Sequence, residues 1–269
     1  MELTPVLREH TAEVIENFIA SKAEEADAKG VVLGLSGGLD SSVVARLCAE
    51  ALGAKKVLGI TMPHGERQNG ETKDAAAFAK KLGISHKVFP ISEIMENLSG
   101  ALGIGRNLNL AAGNIAARVR MTVIYYHANC SNKLVMGTGN KSELLMGYFT
   151  KFGDGGSDYQ PIGDLYKTQV RELARELKIP VKILKKVPTA GLWKGQTDEG
   201  EMGIKYESLD KILYGIELGL TEEEIRERTG IPLKEIMKVH ETVRKTTHKR
   251  KMPLIPKVGV RTLGADWRE

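Results

Sequence analysis

The chain has 269 residues, of which 42% are hydrophobic and 27% charged, a composition typical of a globular protein with a sizeable core. Its net charge of +5 suits nucleic acid or polyanionic small substrates such as nucleotides. Cys48 and Cys130 form no C-x-x-C pair, which argues against a zinc site or a disulfide framework and favours a reducing compartment. No apolar run reaches membrane-spanning length and no signal peptide is recognisable, so we expect a cytoplasmic protein without a membrane partner.

The first predicted strand and helix are joined by a glycine-rich turn at residues 34–42. The apolar run before it predicts a buried strand, and apolar residues at positions 43, 44, 47, 48 and 51 predict a helix after it. Glycine N–H groups that point into one concavity, together with a helix N-terminus, form an anion-binding site. Ser36, Ser41 and Ser42 can donate hydroxyl hydrogen bonds to the same anion. We therefore expect this turn to hold a phosphate or pyrophosphate.

Two common phosphate-binding motifs do not match this turn. A Walker A loop requires a lysine, and residues 34–42 contain none, while the spacing of the three glycines does not fit a dinucleotide-binding fingerprint. Asp40 is unexpected there, because a carboxylate would repel the anion unless a cation lies between them. The pattern therefore suggests Mg²⁺ with oxygen ligands. In the alternative, Asp40 only caps a helix that begins at Ser41.

Strand and helix patterns alternate along the next hundred residues. They fall at residues 56–63 (strand), 70–82 (helix), 84–91 (strand), 92–102 (helix), 114–129 (helix) and 134–137 (strand). This alternation predicts an α/β fold with a doubly wound, mostly parallel sheet and helices on both faces. We expect residues 1–269 to form a single domain that ends in a helical segment.

Two aperiodic polar segments, residues 147–163 and 189–206, flank a helix predicted at residues 164–177. Loops of this length inside a compact domain are usually functional or disordered. We interpret both as mobile covers over a ligand site. In the alternative they are solvated surface loops, although Trp193 in the second segment makes a purely solvent-exposed role less attractive.

The C-terminal region, residues 209–251, is predicted to be helical. Thr221 and Glu224 form a capping box, Gly230 ends that helix and Pro232 starts the next. This arrangement resembles a DNA-binding helix-turn-helix, and a basic segment follows it. Three consecutive glutamates in its first helix would repel a phosphate backbone, so we expect no nucleic-acid partner.

A second polar turn, residues 138–143, follows the last predicted strand. Ligands of open α/β sheets bind beyond the carboxyl ends of strands, where both this turn and the glycine-rich turn should lie. Glu143 would then complete a Mg²⁺ site with Asp40; in the alternative it only stabilises the first turn of a helix. Arg118 and Arg120 face different sides of a predicted helix, so at most one of them should reach the site.

Taken together, these motifs resemble a known family. The residues Ser-Gly-Gly-Leu-Asp-Ser at positions 36–41 resemble the signature of the PP-loop ATP pyrophosphatase superfamily. The segments that narrow this resemblance to the NAD⁺ synthetase family lie at residues 114–121, 137–143, 147–156, 188–193 and 195–199, at Tyr206, and at residues 248–250. They occur in order between about residues 31 and 253. One departure is the pair Asn140 and Lys141, where relatives often carry other residues; it should leave the proposed metal ligand Glu143 intact.

The resemblance implies an adenine nucleotide alpha hydrolase-like fold and a ligase of NAD biosynthesis. In this family, ATP and Mg²⁺ drive the amidation of deamido-NAD (nicotinic acid adenine dinucleotide) by ammonia, through an adenylated carboxylate, with release of AMP and pyrophosphate. The turn would hold the pyrophosphate leaving group and so stabilise charge that grows in the transition state. The resemblance also implies a cytoplasmic homodimer, with residues 92–129 as the contact region, and an ammonia-dependent enzyme without a glutaminase domain.

The site residues implied by the resemblance form four groups. Asp40 and Lys167 are the expected catalytic residues, and Asp40 and Glu143 the expected Mg²⁺ ligands. The residues expected to bind ATP are Gly34, Leu35, Ser36, Gly37, Gly38, Leu39, Asp40, Ser41, Thr138, Lys167 and Thr189. Those expected to bind deamido-NAD are Arg118, Lys151, Asp158, His248 and Lys249.

Two other functions remain open from the sequence. One is a PP-loop enzyme that amidates or thiolates another substrate, such as a nucleobase or a tRNA base, although an RNA-binding module or zinc cysteines would then be expected. The other is a nucleotide-binding regulator that uses the helix-turn-helix-like segment on DNA, which salt-dependent DNA binding would reveal.

Overall fold

The structure, a computed structural model, describes residues 3–65, 69–104, 109–189 and 196–263. Its central sheet contains β1 (Val31–Gly34), β2 (Val57–Thr61), β3 (Ser85–Val88) and β4 (Leu134–Met136) in the order β3-β2-β1-β4. Every pair of neighbouring strands in this sheet is parallel. Because β2 and β4 lie on opposite sides of β1, the strand order reverses at the carboxyl end of β1. Such a reversal opens a crevice where ligands of α/β proteins bind.

Helices precede the first strand, occupy the connections between the strands, and make up most of residues 167–250. They are α1 (Thr11–Glu25), α2 (Leu39–Leu52), α3 (Asn69–Leu82), α4 (Ser92–Leu102), α5 (Asn109–Ser131), α6 (Lys141–Met146), α7 (Lys167–Glu176), α8 (Val181–Leu184), α9 (Asp198–Met202), α10 (Tyr206–Glu217), α11 (Glu222–Thr229), α12 (Leu233–Lys245) and α13 (Thr247–Arg250). In the described residues, no helix is both long enough and apolar enough to cross a membrane.

Strand β1 is covered on both faces, which explains its continuous apolar sequence. Val31 and Leu33 pack into a core with α1, α2 and α7, whereas Val32 faces a second core with α4 and α5. All three side chains are fully buried. The predicted α/β class, the parallel sheet and the helices on both of its faces are therefore confirmed.

A third apolar core holds the C-terminal helices together and joins them to the rest of the chain. Leu209, Ile212 and Leu213 of α10 pack there with Ile236 of α12 and with Met146 of α6. Helix α6 comes directly from the turn after β4. The C-terminal helices thus pack against a helix that begins at the carboxyl edge of the sheet.

Several predicted boundaries differ from the observed ones. Strand β3 is shorter than the predicted strand at residues 84–91, because it lies at the sheet edge and its side chains are largely exposed. The helix predicted from residue 164 begins at Lys167, and the segment 189–206, predicted to be aperiodic, contains the short helix α9. Trp193 and Gly195, which contribute to the family resemblance, lie outside the described residues.

Candidate functional site

A cavity of about 650 Å³ opens at the carboxyl ends of β1, β2 and β4. Residues 34–41 of the glycine-rich turn line it, together with Thr61 at the end of β2 and Thr138 in the turn after β4. Ser42, expected to donate to the same anion, is fully buried outside this lining, and its hydroxyl group donates to the Gly38 carbonyl instead. Lys167 and Thr189 line the cavity as well. Every residue that the resemblance implies for ATP therefore faces one cavity.

The glycine-rich turn is organised by its own hydroxyl groups. The Ser36 and Ser41 Oγ atoms lie 3.0 Å apart, the Gly38 N–H donates to Ser36 Oγ at 3.1 Å, and Ser42 Oγ donates to the Gly38 carbonyl at 2.7 Å. Gly37 has φ +79°, and a Cβ atom on it would come within 2.5 Å of the Glu71 carbonyl oxygen. A side chain at Gly37 would therefore be strained and would also clash with α3.

Asp40 lies in the first turn of α2 and does not cap the helix. Helix α2 begins at Leu39 after the N-cap Gly38, so the alternative of a cap for a helix starting at Ser41 is wrong. Instead, Asp40 Oδ2 forms an ion pair with Lys167 Nζ, and Asp40 Oδ1 accepts a hydrogen bond from Asn140 Nδ2 at 3.3 Å. The carboxylate is thus held by groups 100 and 127 residues further along the chain.

We call Asp40, Glu143 and Lys167 the charge cluster. Glu143 Oε1 lies 3.5 Å from Lys167 Nζ, and the Lys167 side chain is only 2% exposed. Burial raises the pKa of Glu143 to about 8, although the ammonium of Lys167 opposes that rise. Burial also disfavours the charge on Lys167, but the carboxylates of Asp40 and Glu143 outweigh it and raise the pKa of Lys167. The lysine therefore stays charged between its two partners.

Asn140 brings the two carboxylates of the charge cluster together. It is the N-cap of α6 in a capping box: its side chain accepts a hydrogen bond from the Glu143 N–H at 3.0 Å, and Glu143 Oε2 accepts one from the Asn140 N–H at 3.2 Å. Its Nδ2 simultaneously reaches Asp40. Glu143 thus stabilises the first turn of α6 and also faces the cavity, while its role as a Mg²⁺ ligand stays a prediction.

Asp210 of α10 links the two helices that carry Glu143 and Lys167 of the charge cluster. It is fully buried and accepts hydrogen bonds from Ser142 Oγ at 2.6 Å and from the Thr168 N–H at 2.8 Å. Ser142 Oγ in turn accepts the Lys167 N–H at 2.9 Å. One carboxylate on α10 therefore joins α6, which carries Glu143, to the N-terminus of α7, which carries Lys167.

Tyr206 and Asp198 form the wall beside the charge cluster. The Tyr206 hydroxyl group donates to Asp198 Oδ2 at 3.2 Å and lies 3.5 Å from Glu143 Oε1, while Lys167 Nζ lies 5.3 Å from the centre of its ring. Burial raises the pKa of Asp198. Among the described residues, Asp198 Oδ1 is buried without a hydrogen-bond partner. The wall therefore adds a third acidic side chain on the cavity side of Lys167.

The carboxylates of Asp40 and Glu143 fit the donor set that Mg²⁺ prefers. Both line the cavity, one from α2 and one from α6, and both supply hard oxygen ligands. Among the described residues, no group of three or more histidine, cysteine, aspartate or glutamate side chains is arranged to hold a metal ion. Such a site suits Mg²⁺ because this ion commonly takes one or two carboxylates and completes its shell with phosphate oxygens and water.

Pro188 and Thr189 are hydrogen-bonded to Gln196 and Asp198 beside the cavity. Thr189 Oγ1 donates to the Gln196 carbonyl at 2.8 Å, and the Asp198 N–H donates to the Pro188 carbonyl at 3.1 Å. Gln196 Nε2 in turn donates to Glu201 Oε2 at 2.8 Å. These bonds join Pro188 and Thr189 to the residues around α9 at the cavity wall.

We call the five side chains expected to bind deamido-NAD the rim residues. They are Arg118, Lys151, Asp158, His248 and Lys249, of which Lys249 lines the cavity while the other four lie outside its lining. Arg118 Nη2 donates to the Lys151 carbonyl at 3.3 Å, and Lys151 Nζ donates to the His248 carbonyl at 2.7 Å. Three of these residues therefore lie side by side, and their assignment to deamido-NAD stays a prediction.

Lys249 and Asp158 are held mainly by main-chain groups. Lys249 Nζ donates to the carbonyls of Gly147 and Phe149, both at 2.7 Å. Asp158 accepts a hydrogen bond from the Val135 N–H at 2.7 Å and another from the Tyr125 hydroxyl group at 3.0 Å. Lys249 thereby attaches the C-terminal helix α13 to the loop that follows α6.

Arg120 is a cavity residue that the sequence alone does not single out over Arg118. Arg118 is exposed, whereas Arg120 lines the cavity and donates from Nε to the Met62 carbonyl at 3.1 Å. Burial lowers the pKa of Arg120. The arginine that lines the cavity is therefore Arg120, whereas Arg118, which the resemblance assigns to deamido-NAD, lies outside the lining, and its assignment stays a prediction. No spacing rule indicates which one, because the rotation of α5 against the sheet decides it.

Comparison with known proteins identifies relatives over nearly the whole chain. A sequence model of the family described as NAD synthase matches residues 11–253. The chain is 46% identical over 259 residues to the NH₃-dependent NAD⁺ synthetase of Methanococcoides burtonii, covering 95% of this chain and 97% of that protein. Among solved structures, it resembles NMN synthetase from Francisella tularensis (TM-score 0.81, 34% identity) and NH₃-dependent NAD synthetase from Campylobacter jejuni (TM-score 0.78, 31% identity). Each comparison covers 93% of this chain and 98% of the other.

Proposed function

The chain belongs to the NAD synthase family, and we propose that it uses ATP to amidate deamido-NAD with ammonia, giving NAD, AMP and pyrophosphate. It is thus a ligase that forms a C–N bond in NAD biosynthesis. The observation that carries the proposed mechanism is the charge cluster of Asp40, Glu143 and Lys167 beside the glycine-rich turn, in one cavity at the strand-order reversal.

In the first proposed step, the nicotinate carboxylate attacks the α-phosphorus of ATP and pyrophosphate leaves. The turn at residues 34–41 holds the β- and γ-phosphates through main-chain N–H groups and the N-terminus of α2, whose dipole favours anions. The ammonium of Lys167, kept charged by Asp40 and Glu143, stabilises negative charge that grows on the leaving group. The hydrogen bonds of Asp210 and Ser142 hold α6 and α7 together and so keep Glu143 and Lys167 in place. Little reorganisation is therefore needed during the reaction.

Asp40 and Glu143 are the residues that would hold Mg²⁺. When bound there, Mg²⁺ would neutralise charge on the phosphate oxygens of ATP. Glu143 must be ionised to serve as a ligand, and its raised pKa makes ionisation depend on nearby positive charge such as that of Lys167.

In the second proposed step, ammonia attacks the acyl carbon of the adenylated carboxylate and AMP leaves. The rim residues Arg118, Lys151, Asp158, His248 and Lys249 would bind deamido-NAD. Lys151 and Lys249 donate to main-chain carbonyls, which are uncharged, so their positive charges remain available to the phosphates of a dinucleotide. Thr138 and Thr189 would contact ATP from the other side of the cavity.

The assembly and location of the protein belong to the same proposal. We expect a cytoplasmic homodimer whose contact region includes helices α4 and α5. Tyr126 of α5 is 64% exposed and leaves an aromatic ring open to such a contact. Sedimentation of the purified protein at several concentrations would show whether the mass is that of two chains.

The decisive experiment measures AMP formation from ATP and Mg²⁺ with ammonium present, as a function of added deamido-NAD. We expect AMP formation to depend on deamido-NAD and to match NAD formation one to one. A parallel series uses nicotinate mononucleotide, whose amidation gives NMN, because the chain also resembles an NMN synthetase. If only the mononucleotide stimulates AMP formation, nicotinate mononucleotide and not deamido-NAD is the substrate. If neither compound stimulates it, the proposal is contradicted.

A second experiment tests the adenylated intermediate. With ammonium omitted, labelled pyrophosphate should exchange into ATP only when deamido-NAD is present, because the first step is reversible and the second cannot occur. The Asp40→Asn variant should lose this exchange. Exchange without deamido-NAD, or NAD formation with no exchange under any condition, would argue against an adenylated carboxylate.

A further inference from the structure

Lys186 contacts the glycine-rich turn from outside the charge cluster. Its Nζ atom donates to the Gly37 carbonyl at 2.7 Å and lies 2.8 Å from Asp74 Oδ2 of α3. The side chain lines the cavity and is 26% exposed. Lys182, one turn earlier on α8, pairs with the other oxygen of Asp74 but is 76% exposed and lies outside the cavity lining. Two lysines thus share one carboxylate, and only one of them reaches the turn.

The charges on the two sides of the turn are not equivalent. In the charge cluster, two acidic side chains surround a single ammonium, so that side carries no net positive charge. On the other side, Lys182 and Lys186 share Asp74, which leaves one net positive charge. Hydrogen bonds from Lys182 and Lys186 hold the pKa of Asp74 below its ordinary value, so this carboxylate stays ionised. Of these two ion-paired groups, only the one that contains Lys186 has more ammonium than carboxylate groups, while Glu71 of α3 also lines the cavity on that side.

The backbone holds Lys186 in place on both sides. The Lys186 N–H donates to the Ile183 carbonyl in α8 at 3.1 Å, and two residues later the Pro188 carbonyl accepts the Asp198 N–H. An ammonium group has three N–H donors, and the Gly37 carbonyl and Asp74 account for two of them. The third can donate to a ligand oxygen in the cavity without loss of either existing contact.

We propose that Lys186 is a phosphate-binding residue of this site, which donates to the pyrophosphate half of a nucleoside triphosphate held by the glycine-rich turn. From the segment just after α8, it supplies the lysine that a Walker A loop carries within its own sequence and that residues 34–42 lack. Asp74 and the Gly37 carbonyl hold it ready in the absence of ligand. This inference rests on the proposed function only for the identity of the triphosphate.

The test measures the binding of inorganic pyrophosphate by isothermal titration to the full chain, with no deamido-NAD or ammonium present. Lys186→Met should weaken binding by about 10- to 100-fold, the effect expected for loss of a charge-assisted hydrogen bond. Lys182→Met is the matched control, because it removes the same functional group from the same carboxylate, and it should change binding by less than about twofold. In steady-state kinetics, Lys186→Met should raise the KM for ATP.

Two further variants separate direct binding from support of the turn. Asp74→Asn removes the ion pair but leaves the lysine, so it should retain pyrophosphate binding within about threefold, whereas a purely structural role would make it resemble Lys186→Met. Lys186→Arg retains the charge and should restore most of the binding lost in Lys186→Met. Thermal unfolding of each variant establishes that the titrated protein is folded.

The inference is wrong if Lys186→Met binds pyrophosphate as the unmodified chain does. It is also wrong if Lys182→Met or Asp74→Asn weakens binding as strongly, or if Lys186→Arg restores none of it. These outcomes are independent of the proposed reaction: failure of deamido-NAD to stimulate AMP formation would contradict the proposed function and leave pyrophosphate binding by Lys186 intact.

Discussion

The charge cluster and the rim residues hold their side chains in different ways. In the charge cluster, Lys167 contacts two acidic side chains and is almost fully buried. At the rim, Lys151 and Lys249 donate to main-chain carbonyls, and His248 is exposed. Ion pairs between buried side chains fix a geometry but depend on each partner, since a lone buried charge is costly. Contacts to carbonyls near the surface hold a lysine without neutralising it.

This difference suggests that the charge cluster serves the reaction step and the rim residues serve substrate binding. The charge cluster is complete within the described residues and has its orientation set before ATP binds, as expected where charge develops in a transition state. The rim keeps its positive charges for a substrate that brings phosphates. Substitutions in the charge cluster should therefore reduce turnover and stability together, whereas substitutions at the rim should mainly raise the KM for deamido-NAD.

The largest effect is expected for Lys167→Met. It removes the ammonium that faces the leaving group and leaves Asp40 and Glu143 without their common partner, so the pKa of Glu143 should rise further. We expect AMP formation to fall by about 10²- to 10³-fold. Rate measurements on protein shown to be folded by circular dichroism test this, with the exposed Lys185→Met as the control. A rate above one tenth of normal would mean that Lys167 is a structural cation.

The next largest effect is expected for Asp210→Ala. It leaves the Ser142 hydroxyl group and the Thr168 N–H without their buried acceptor, at about 1–3 kcal/mol each. We expect the free energy of unfolding to drop by about 2–5 kcal/mol and AMP formation to fall about tenfold, because α6 and α7 lose their common support. Urea denaturation measures the first quantity. The comparison variant Ser142→Ala also removes two hydrogen bonds, to Asp210 and from the Lys167 N–H, but only one of them involves a carboxylate, so it should cost less. An equal or larger loss would contradict this account.

A smaller and different effect is expected for Lys249→Met at the rim. The variant loses two part-buried hydrogen bonds to main-chain carbonyls but leaves no side-chain charge without its partner, so its free energy of unfolding should fall by about 1–3 kcal/mol. We expect the KM for deamido-NAD to rise about tenfold while kcat changes by less than about threefold. The exposed Lys251→Met serves as the control. A fall in kcat comparable with that of Lys167→Met would remove the distinction between the two regions.

The smallest effect is expected for Tyr125→Phe. The hydroxyl group donates to one oxygen of Asp158, but the Val135 N–H still holds the other oxygen after the substitution. We expect the free energy of unfolding to change by less than about 1 kcal/mol and the KM for deamido-NAD by about twofold. If the KM rises more than tenfold, the orientation of Asp158 depends on Tyr125, and the rim is more ordered than its carbonyl contacts indicate.

Much of the fold was predictable because its signals are local. The β1 run, the helical spacing after the turn and the capping box at Thr221 and Glu224 all correspond to observed elements. The glycine-rich turn was predictable as a phosphate site because one short segment contains the strand end, the glycines and the helix N-terminus. The short edge strand β3 was overestimated, since the apolar periodicity extends beyond the residues that pair with β2.

The contacts within the site were not predictable from local patterns. Asp40 and Lys167 are 127 residues apart, and nothing in either segment indicates that they form an ion pair. Asn140 and Glu143 do have the spacing of a capping box, a signal that was available for α6. The further contact of Asn140 with Asp40 depends on how β1 and β4 are placed side by side, and such placement follows from tertiary packing.

The pairing of β1 with β4 also has a consequence for how the chain folds. It joins residues about a hundred positions apart, for example Val31 and Leu134, and so carries a high entropic cost of loop closure. The charge cluster therefore cannot exist in a chain that has formed only the segment from β1 to β3, even though the glycine-rich turn is already complete there. Formation of the charge cluster during refolding must therefore follow the docking of β4, which precedes Glu143 in the chain, whereas the glycine-rich turn can form before it.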